Sequence, residues 1–435
     1  MNDLTRRGFF STVGAGAAAL SLSRLAFAAE SSPDKPNIIF ILADDAGLGD
    51  FGCYGGRHIA TPNVDRLAAE GMLFTQAYSA NAVCAPTRCG LMTGLHPGHG
   101  AIRANREIQP EGQKPLPAGT FTVAQLLKNA GYTTACIGKW GLGMFDTTGS
   151  PLKNGFDHFF GYNCQRHAHD YYTRYLYRDD QRIPLDGKTY SADVIAQEAL
   201  AFIQQNKDRP FFLYFATTLP HGDFVIPSAA PYDKQPWPKI VQNYAAMIAK
   251  LDAEVGQTLA LLKDLNLDQR TLVIFSSDNG PNPEFINDLQ SAGGLRGIKR
   301  TLYEGGIRAP MVARWPGHIA PASTCDTPVC HIDFLPTAAE LTGASIPKPV
   351  DGISLLPALT TRGTLARRDY LYFEIHEPRF QQAVRLGNWK ACRNGTKAPL
   401  ELYDLKSDPA EQHNIADAHA DIIKQIESIM LKEHT

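Results

Sequence analysis

Neither sign of charge dominates this 435-residue chain: 42 Lys and Arg face 44 Asp and Glu, a net charge of −2. That balance argues against nucleic acid as a partner, since phosphate binders carry a basic excess or stripe. No uninterrupted apolar run reaches the ~18–20 residues of a membrane-spanning helix, so no stable membrane span is expected. Cysteine is sparse. The eight residues are scattered without a Cys-x-x-Cys pair, which excludes a zinc ribbon or a thioredoxin-like motif and leaves the disulfide pairing unreadable. Gly and Pro follow no period, so collagen-like and low-complexity readings fail as well. What is present is 44% hydrophobic against 20% charged residues, ample for a large core and suited to a soluble enzyme.

The first residues read as an address. Thr5-Arg6-Arg7-Gly8-Phe9-Phe10 precedes a weakly apolar Gly/Ala stretch to Leu20 and an Ala26-Phe27-Ala28 site. Paired arginines, a diluted apolar segment and a small-residue cleavage site have the form of a twin-arginine export signal over residues 1–28. The expectation is a periplasmic or secreted protein, delivered folded by the twin-arginine export machinery.

Four apolar runs follow, each ending in a functional group. Asn37 to Ala43 stops at Asp44-Asp45, and Thr133 to Gly138 stops at Lys139. Phe211 to Ala216 leads to His221, and Thr271 to Phe275 leads through two serines to Asp278-Asn279-Gly280. Such runs suit strands buried on both faces of a parallel sheet. Helical patterns lie between them, at Asp65–Glu70, Thr122–Ala130, Ser191–Gln205 and Tyr244–Leu265. The alternation predicts an α/β fold with a large, mostly parallel central sheet sandwiched by helices over residues 34–368. From residue 369 to 435 short strands and a last helical segment predict a smaller antiparallel sheet with a terminal helix. Ligands of open α/β sheets collect at the carboxyl ends of the strands, where these runs deliver their acids, amide, lysine and histidine.

Asp44, Asp45, Asp278 and Asn279 offer only oxygen donors. That set suits a hard dication, Ca²⁺ or Mg²⁺, rather than Zn²⁺, which takes His or Cys. Without a cation, three converging carboxylates would repel one another.

The most specific segment is Cys84-Ala85-Pro86-Thr87-Arg88 with Leu91-Met92-Thr93-Gly94 downstream. Three further stretches accompany it: Gly131 to Trp140, Leu295 through Lys299 and Arg308 to Gly317, and Leu402-Tyr403-Asp404-Leu405. In these motifs, and in their order, the chain resembles the type I, arylsulfatase-like sulfatases of the alkaline phosphatase superfamily. The resemblance implies that Cys84 is oxidised to formylglycine by a formylglycine-generating enzyme before the chain folds. It also implies that Ca²⁺, with Mg²⁺ the weaker alternative, binds the residue-84 hydrate together with Asp44, Asp45, Asp278 and Asn279. One hydroxyl of that hydrate would attack sulfur, and loss of the other's proton would expel sulfate. By the same resemblance Arg88 holds the hydrated aldehyde, Lys139 and Lys299 grip sulfate oxygens, and His221 protonates the leaving alcohol as a cationic acid. A sulfated carbohydrate is the expected substrate, with aryl sulfates as the alternative.

One motif position departs from the family. Gly138-Lys139-Trp140-Gly141-Leu142-Gly143 carries glycine where relatives carry the histidine that triggers sulfate expulsion. The polar and aromatic stretch Asn163 to Tyr172 is the expected source of a replacement. Arg166, His167 and His169 are its candidate substrate-binding residues, with one histidine expected within hydrogen-bond reach of Cys84. The same departure keeps two alternatives open, a phosphonate or phosphodiester hydrolase of the superfamily and a catalytically weak sulfoglycan-binding protein.

Overall fold

The computed structural model describes residues 35–109, 111–360 and 363–434; the expected export signal lies outside them. Asn37–Ala43 shows how the sequence builds the centre. Successive side chains of a strand point to opposite faces. Accordingly Ile39, Ile41 and Ala43 enter one core and Ile38, Phe40 and Leu42 the other, all fully buried. Burial on both faces needs helices on both. Ser191–Gln205 and Lys239–Asp264 cover the first face, while Cys84–Thr93, Val123–Asn129 and Phe334–Thr342 cover the second. The helix expected from Tyr244 begins at Lys239, directly after Pro238, whose fixed φ suits a helix entrance.

Ten strands form the central sheet. Its five middle strands, Thr271–Ser277, Asn37–Ala43, Phe211–Ala216, Thr133–Lys139 and His158–Tyr162, lie side by side and parallel. Met311–Arg314 runs antiparallel along one side of this set, and Tyr175–Arg178 along the other. The fold is therefore the expected mostly parallel α/β sandwich, with mixed edges.

Toward the C-terminus, Leu371–Ile375, Gln381–Leu386, Trp389–Arg393 and Glu401–Asp404 make an antiparallel meander. The helix Ala420–Glu433 lays Ile426 and Met430 on one face of it, against Tyr372, Val384, Ala391 and Leu402. The other face packs on Tyr78, Leu302 and Ile307 of the larger unit. All eight cysteines are free thiols. None of the helices among the described residues is long and apolar enough to cross a membrane.

Candidate active site

Strand register assembles the site. Ala43 pairs with Ser277, so the chain leaves both strands at one level and sets Asp44 beside Asp278. Asp45 turns back with a left-handed φ of 71°, a conformation Asp tolerates better than most residues, and its N–H donates to Asp278 Oδ1 at 3.1 Å. Two strands further along the sheet, Lys139 ends Thr133–Lys139. The loop after Phe211–Ala216 carries His221 and is tied down where Asp44 N–H donates to Leu219 O and Tyr171 Oη donates to Thr218 O and His221 O.

Cys84 opens the helix Cys84–Thr93, at the end where unpaired N–H groups and the helix dipole favour negative charge. Its Sγ lies 3.5 Å from both Asp44 Oδ1 and Lys139 Nζ. One turn later, Arg88 reaches under the cluster, with Nη2 2.8 Å from Asp278 and 3.2 Å from Asp44 and with Nη1 donating to Lys139 O. Lys139 Nζ is 2.5 Å from Asp44, and Lys299 Nζ is 2.6 Å from Asp45. Asn279 Nδ2 donates to Asp45 Oδ1 at 2.7 Å, while its Oδ1 is buried without a partner.

One ligand atom each from Asp44, Asp45, Cys84 and Asp278 fall within 4.8 Å of one another. The orphaned Asn279 Oδ1 adds a neutral oxygen at the same corner. Carboxylates in a dry site without a cation cannot all ionise comfortably, and the charges show it. Burial and the neighbouring Asp44 push Asp278 up to about 7. Burial acts on Asp44 in the same sense, but His221, Lys139, Arg88 and Lys299 together hold it well below the carboxylate range. This donor set fits a hard dication. The Cys84 thiol is itself pushed far up, by burial first and then by Asp278 and Asp44.

His221, expected to be cationic when substrate binds, is buried beside the cluster. Burial, reinforced by Lys139 and Lys299, drives its pKa well below 6.5 against the pull of Asp44 and Asp45. Its ring still stands at the nucleophile: one nitrogen lies within 4.8 Å of Cys84 Sγ and an Asp44 oxygen.

The stretch after Asn163 folds otherwise than an extended reading requires. Residues His167–His169 make one 3₁₀ turn, in which positions two apart point different ways. His167 turns inward, bonds to Thr173 Oγ1 at 2.8 Å and packs among Tyr162 and Tyr175. Arg166 lies half-exposed against Glu107 and Gln109. Neither is brought to the site. His169 does reach it, edge-on to His221 with ring centroids 4.4 Å apart, but Asp44 and Lys139 take the hydrogen-bonding positions around Cys84.

A cavity of about 420 Å³ opens above these groups, lined by Asp45, Gln165, His169, His221 and Lys299, with Asn105 and Glu377 at its walls. Gln165 escaped attention in the sequence because glutamine carries no acid–base signal. A larger cleft of about 750 Å³, between Ser323–Pro328 and Gly363–Leu371, holds none of these groups.

Comparison with known proteins agrees with this geometry. Residues 36–344 match the family model described as Sulfatase, and residues 297–435 match one described as N-sulphoglucosamine sulphohydrolase, C-terminal. N-acetylgalactosamine-6-sulfatase of Canis lupus familiaris is 37% identical over 86% of this chain and 74% of its own. Arylsulfatase A of Homo sapiens is 33% identical over 91% and 87%. The crystal structure of Ps i-CgsB in complex with k-i-k-neocarrahexaose superposes with a TM-score of 0.84 at 28% identity, covering 92% of this chain and 94% of that one. With its fold, strand-end cluster and sequence in agreement, the chain belongs to the sulfatase family and is a sulfuric ester hydrolase.

Proposed function

We propose that this enzyme removes sulfate from a sulfated carbohydrate, using residue 84 as formylglycine and a Ca²⁺ held by Asp44, Asp45, Asp278 and Asn279. The observation that carries the reading is the convergence of Cys84, three carboxylates and three buried cations at the ends of neighbouring strands. Relatives whose names specify an N-acetylgalactosamine sulfate or whose structure holds a carrageenan hexaose support the sugar.

When bound, the dication would polarise a sulfuryl oxygen and stabilise charge on the residue-84 hydrate. The protein's own groups do the rest. Lys299, at the cavity wall, and Lys139, buried beside Asp44 and Cys84, would serve as fixed charges for the remaining sulfate oxygens, already dry and therefore needing little reorganisation. Arg88 is locked by Asp278 and Lys139 O beneath the cluster, where its fixed charge would help to hold the hydrate of residue 84. His221 stands next to the nucleophile and delivers a proton to the leaving oxygen. An arriving sulfate ester adds negative charge beside the ring and raises its hold on that proton. We also propose export by the twin-arginine route, which places the enzyme among extracellular polysaccharide.

A screen of sulfated mono- and oligosaccharides for sulfate release, with Cys84→Ala as the blank, tests the reading. Release from at least one sulfated sugar, absent in the blank, is expected. Faster turnover of an aryl phosphodiester than of every sulfate ester would favour the phosphorus-ester alternative. Tight glycan binding without sulfate release, in protein whose residue 84 is shown to be an aldehyde, would favour a binding role.

A further inference from the structure

Gly141 stands where the family places a histidine, and the structure shows what occupies the vacated space. Its N–H donates to Asn163 O at 3.0 Å, extending the ladder in which Lys139 pairs with Tyr162. Residue 141 is thereby pinned against the segment that leads to Gln165. A Cβ on residue 141 would meet Gln165 Nε2 at 2.0 Å, and the φ of 77° disfavours any side chain there. The Gln165 amide thus fills the position that the first side-chain atom of residue 141 would need.

Gln165 is 3% exposed, yet neither its Nε2 nor its Oε1, both buried, has a hydrogen-bond partner in the protein. Buried polar groups are satisfied as a rule, and an orphaned amide at a cavity wall calls for a ligand. It lines the same cavity as Asp45, His169, His221 and Lys299. Arg88 flanks the same spot, with Cδ 3.7 Å from that Cβ position.

We propose that Gln165 contacts the substrate, its amide N–H donating to an oxygen of the bound sulfate group. It supplies the hydrogen bond of a missing histidine but not its proton chemistry, because an amide neither gains nor loses a proton at working pH. The assignment rests on the sulfatase reading of the cavity.

The test is binding of inorganic sulfate to the calcium-loaded protein by titration calorimetry. Gln165→Leu keeps much of the volume and removes both polar atoms; Gly141→Ala keeps the amide but drives it aside. A donor to a charged oxygen is expected to be worth roughly 10–100-fold in Kd, lost in both variants. The Leu variant should meanwhile melt no lower than wild type without sulfate, because an unsatisfied amide has been replaced by an apolar group. A purely space-filling glutamine would not give weaker sulfate binding at undiminished stability. Wild-type sulfate affinity in both variants would overturn the assignment. Failure of the wild type to release sulfate from any saccharide would instead count against the sulfatase reading, and the sulfate titration would still decide the role of Gln165.

Discussion

Among the described residues, two buried charge clusters are built on opposite rules. Under the C-terminal sheet, Lys390 bridges Glu304 and Glu411 at 2.9 Å each, and Arg308 and Tyr78 close the remaining Glu304 oxygen. Glu411 also accepts the backbone N–H of Glu304, so no side-chain N or O of this group is left without a partner. Burial is more than offset there by Lys390, Arg308 and Arg385, which hold Glu304 down at about 2. At the strand ends, Asp44, Asp45 and Asp278 likewise meet three cations, yet Asn279 Oδ1, His221 Nδ1 and the Gln165 amide stay orphaned and Asp278 is pushed up to about 7. The first cluster is complete in itself and serves docking of the small sheet. The second is complete only with something added. Buried charge alone is no sign of function; buried charge with unused donors and acceptors is.

The contrast breaks most sharply at the open cluster. Cys84→Ala should abolish sulfate release, by roughly 10³-fold or more, as removal of a covalent nucleophile does. Its unfolding midpoint should stay at the wild-type value, since the side chain makes only two 3.5 Å polar contacts. Asp45→Asn should lose activity on a comparable scale and should also lose the rise in melting temperature that Ca²⁺ gives the wild type. An Asp45→Asn protein stabilised by Ca²⁺ as strongly as wild type would remove Asp45 from the ligand set.

At the closed cluster the effect moves to stability. Lys390→Met leaves Glu304 and Glu411 facing each other without their shared cation, which should cost about 3–5 kcal/mol in urea unfolding. Activity per folded molecule should be unchanged. The pH dependence has a definite sign. Glu304 is held below its ordinary 4.5, so the folded state prefers its ionised form. Its contribution is present above pH 4.5 and fades as the pH falls toward 2. The wild-type urea midpoint should therefore drop over that range, and Lys390→Met should show a shallower drop. Parallel curves would show that Glu304 is not governed by Lys390.

Much of this was legible because buried parallel strands write themselves plainly. The runs Asn37–Ala43 and Phe211–Ala216 are apolar at every position since both faces are covered, and each ends where a polar group must meet a ligand or water. The helix Cys84–Thr93 was not legible as a helix: all ten residues are buried, so it lacks the polar face that gives a helix its period. The mismatch at Gly141 told that a volume had been vacated, and close packing required something to fill it. Which residue did so depended on a 3₁₀ turn at His167–His169 that sends His167 away and on the neighbouring Gln165, whose amide carries no titration signal. How strongly burial opposes a charge on His221 was hidden for a related reason. Sequence shows which charges lie near, whereas desolvation outweighs them only once the ring is buried.

The smallest effect belongs to the residue that lies between the two regimes. Arg166 is about half exposed and is held by Glu107 and Gln109, and it does not itself line the cavity. Exposed pairs of this kind contribute ~0–1 kcal/mol, so Arg166→Ala should leave the unfolding midpoint nearly unmoved. With a sulfated monosaccharide, kcat/KM should change by less than about twofold, because a screened charge outside the cavity adds little to transition-state binding. Glu107, however, does line the cavity, and releasing it from Arg166 would free a carboxylate at the rim. A longer sulfated oligosaccharide passing that rim would then meet extra negative charge. A KM that rises only with the longer substrate would make Arg166 a guard of the rim, while equal KM values for both substrates in wild type and variant would leave it a surface residue.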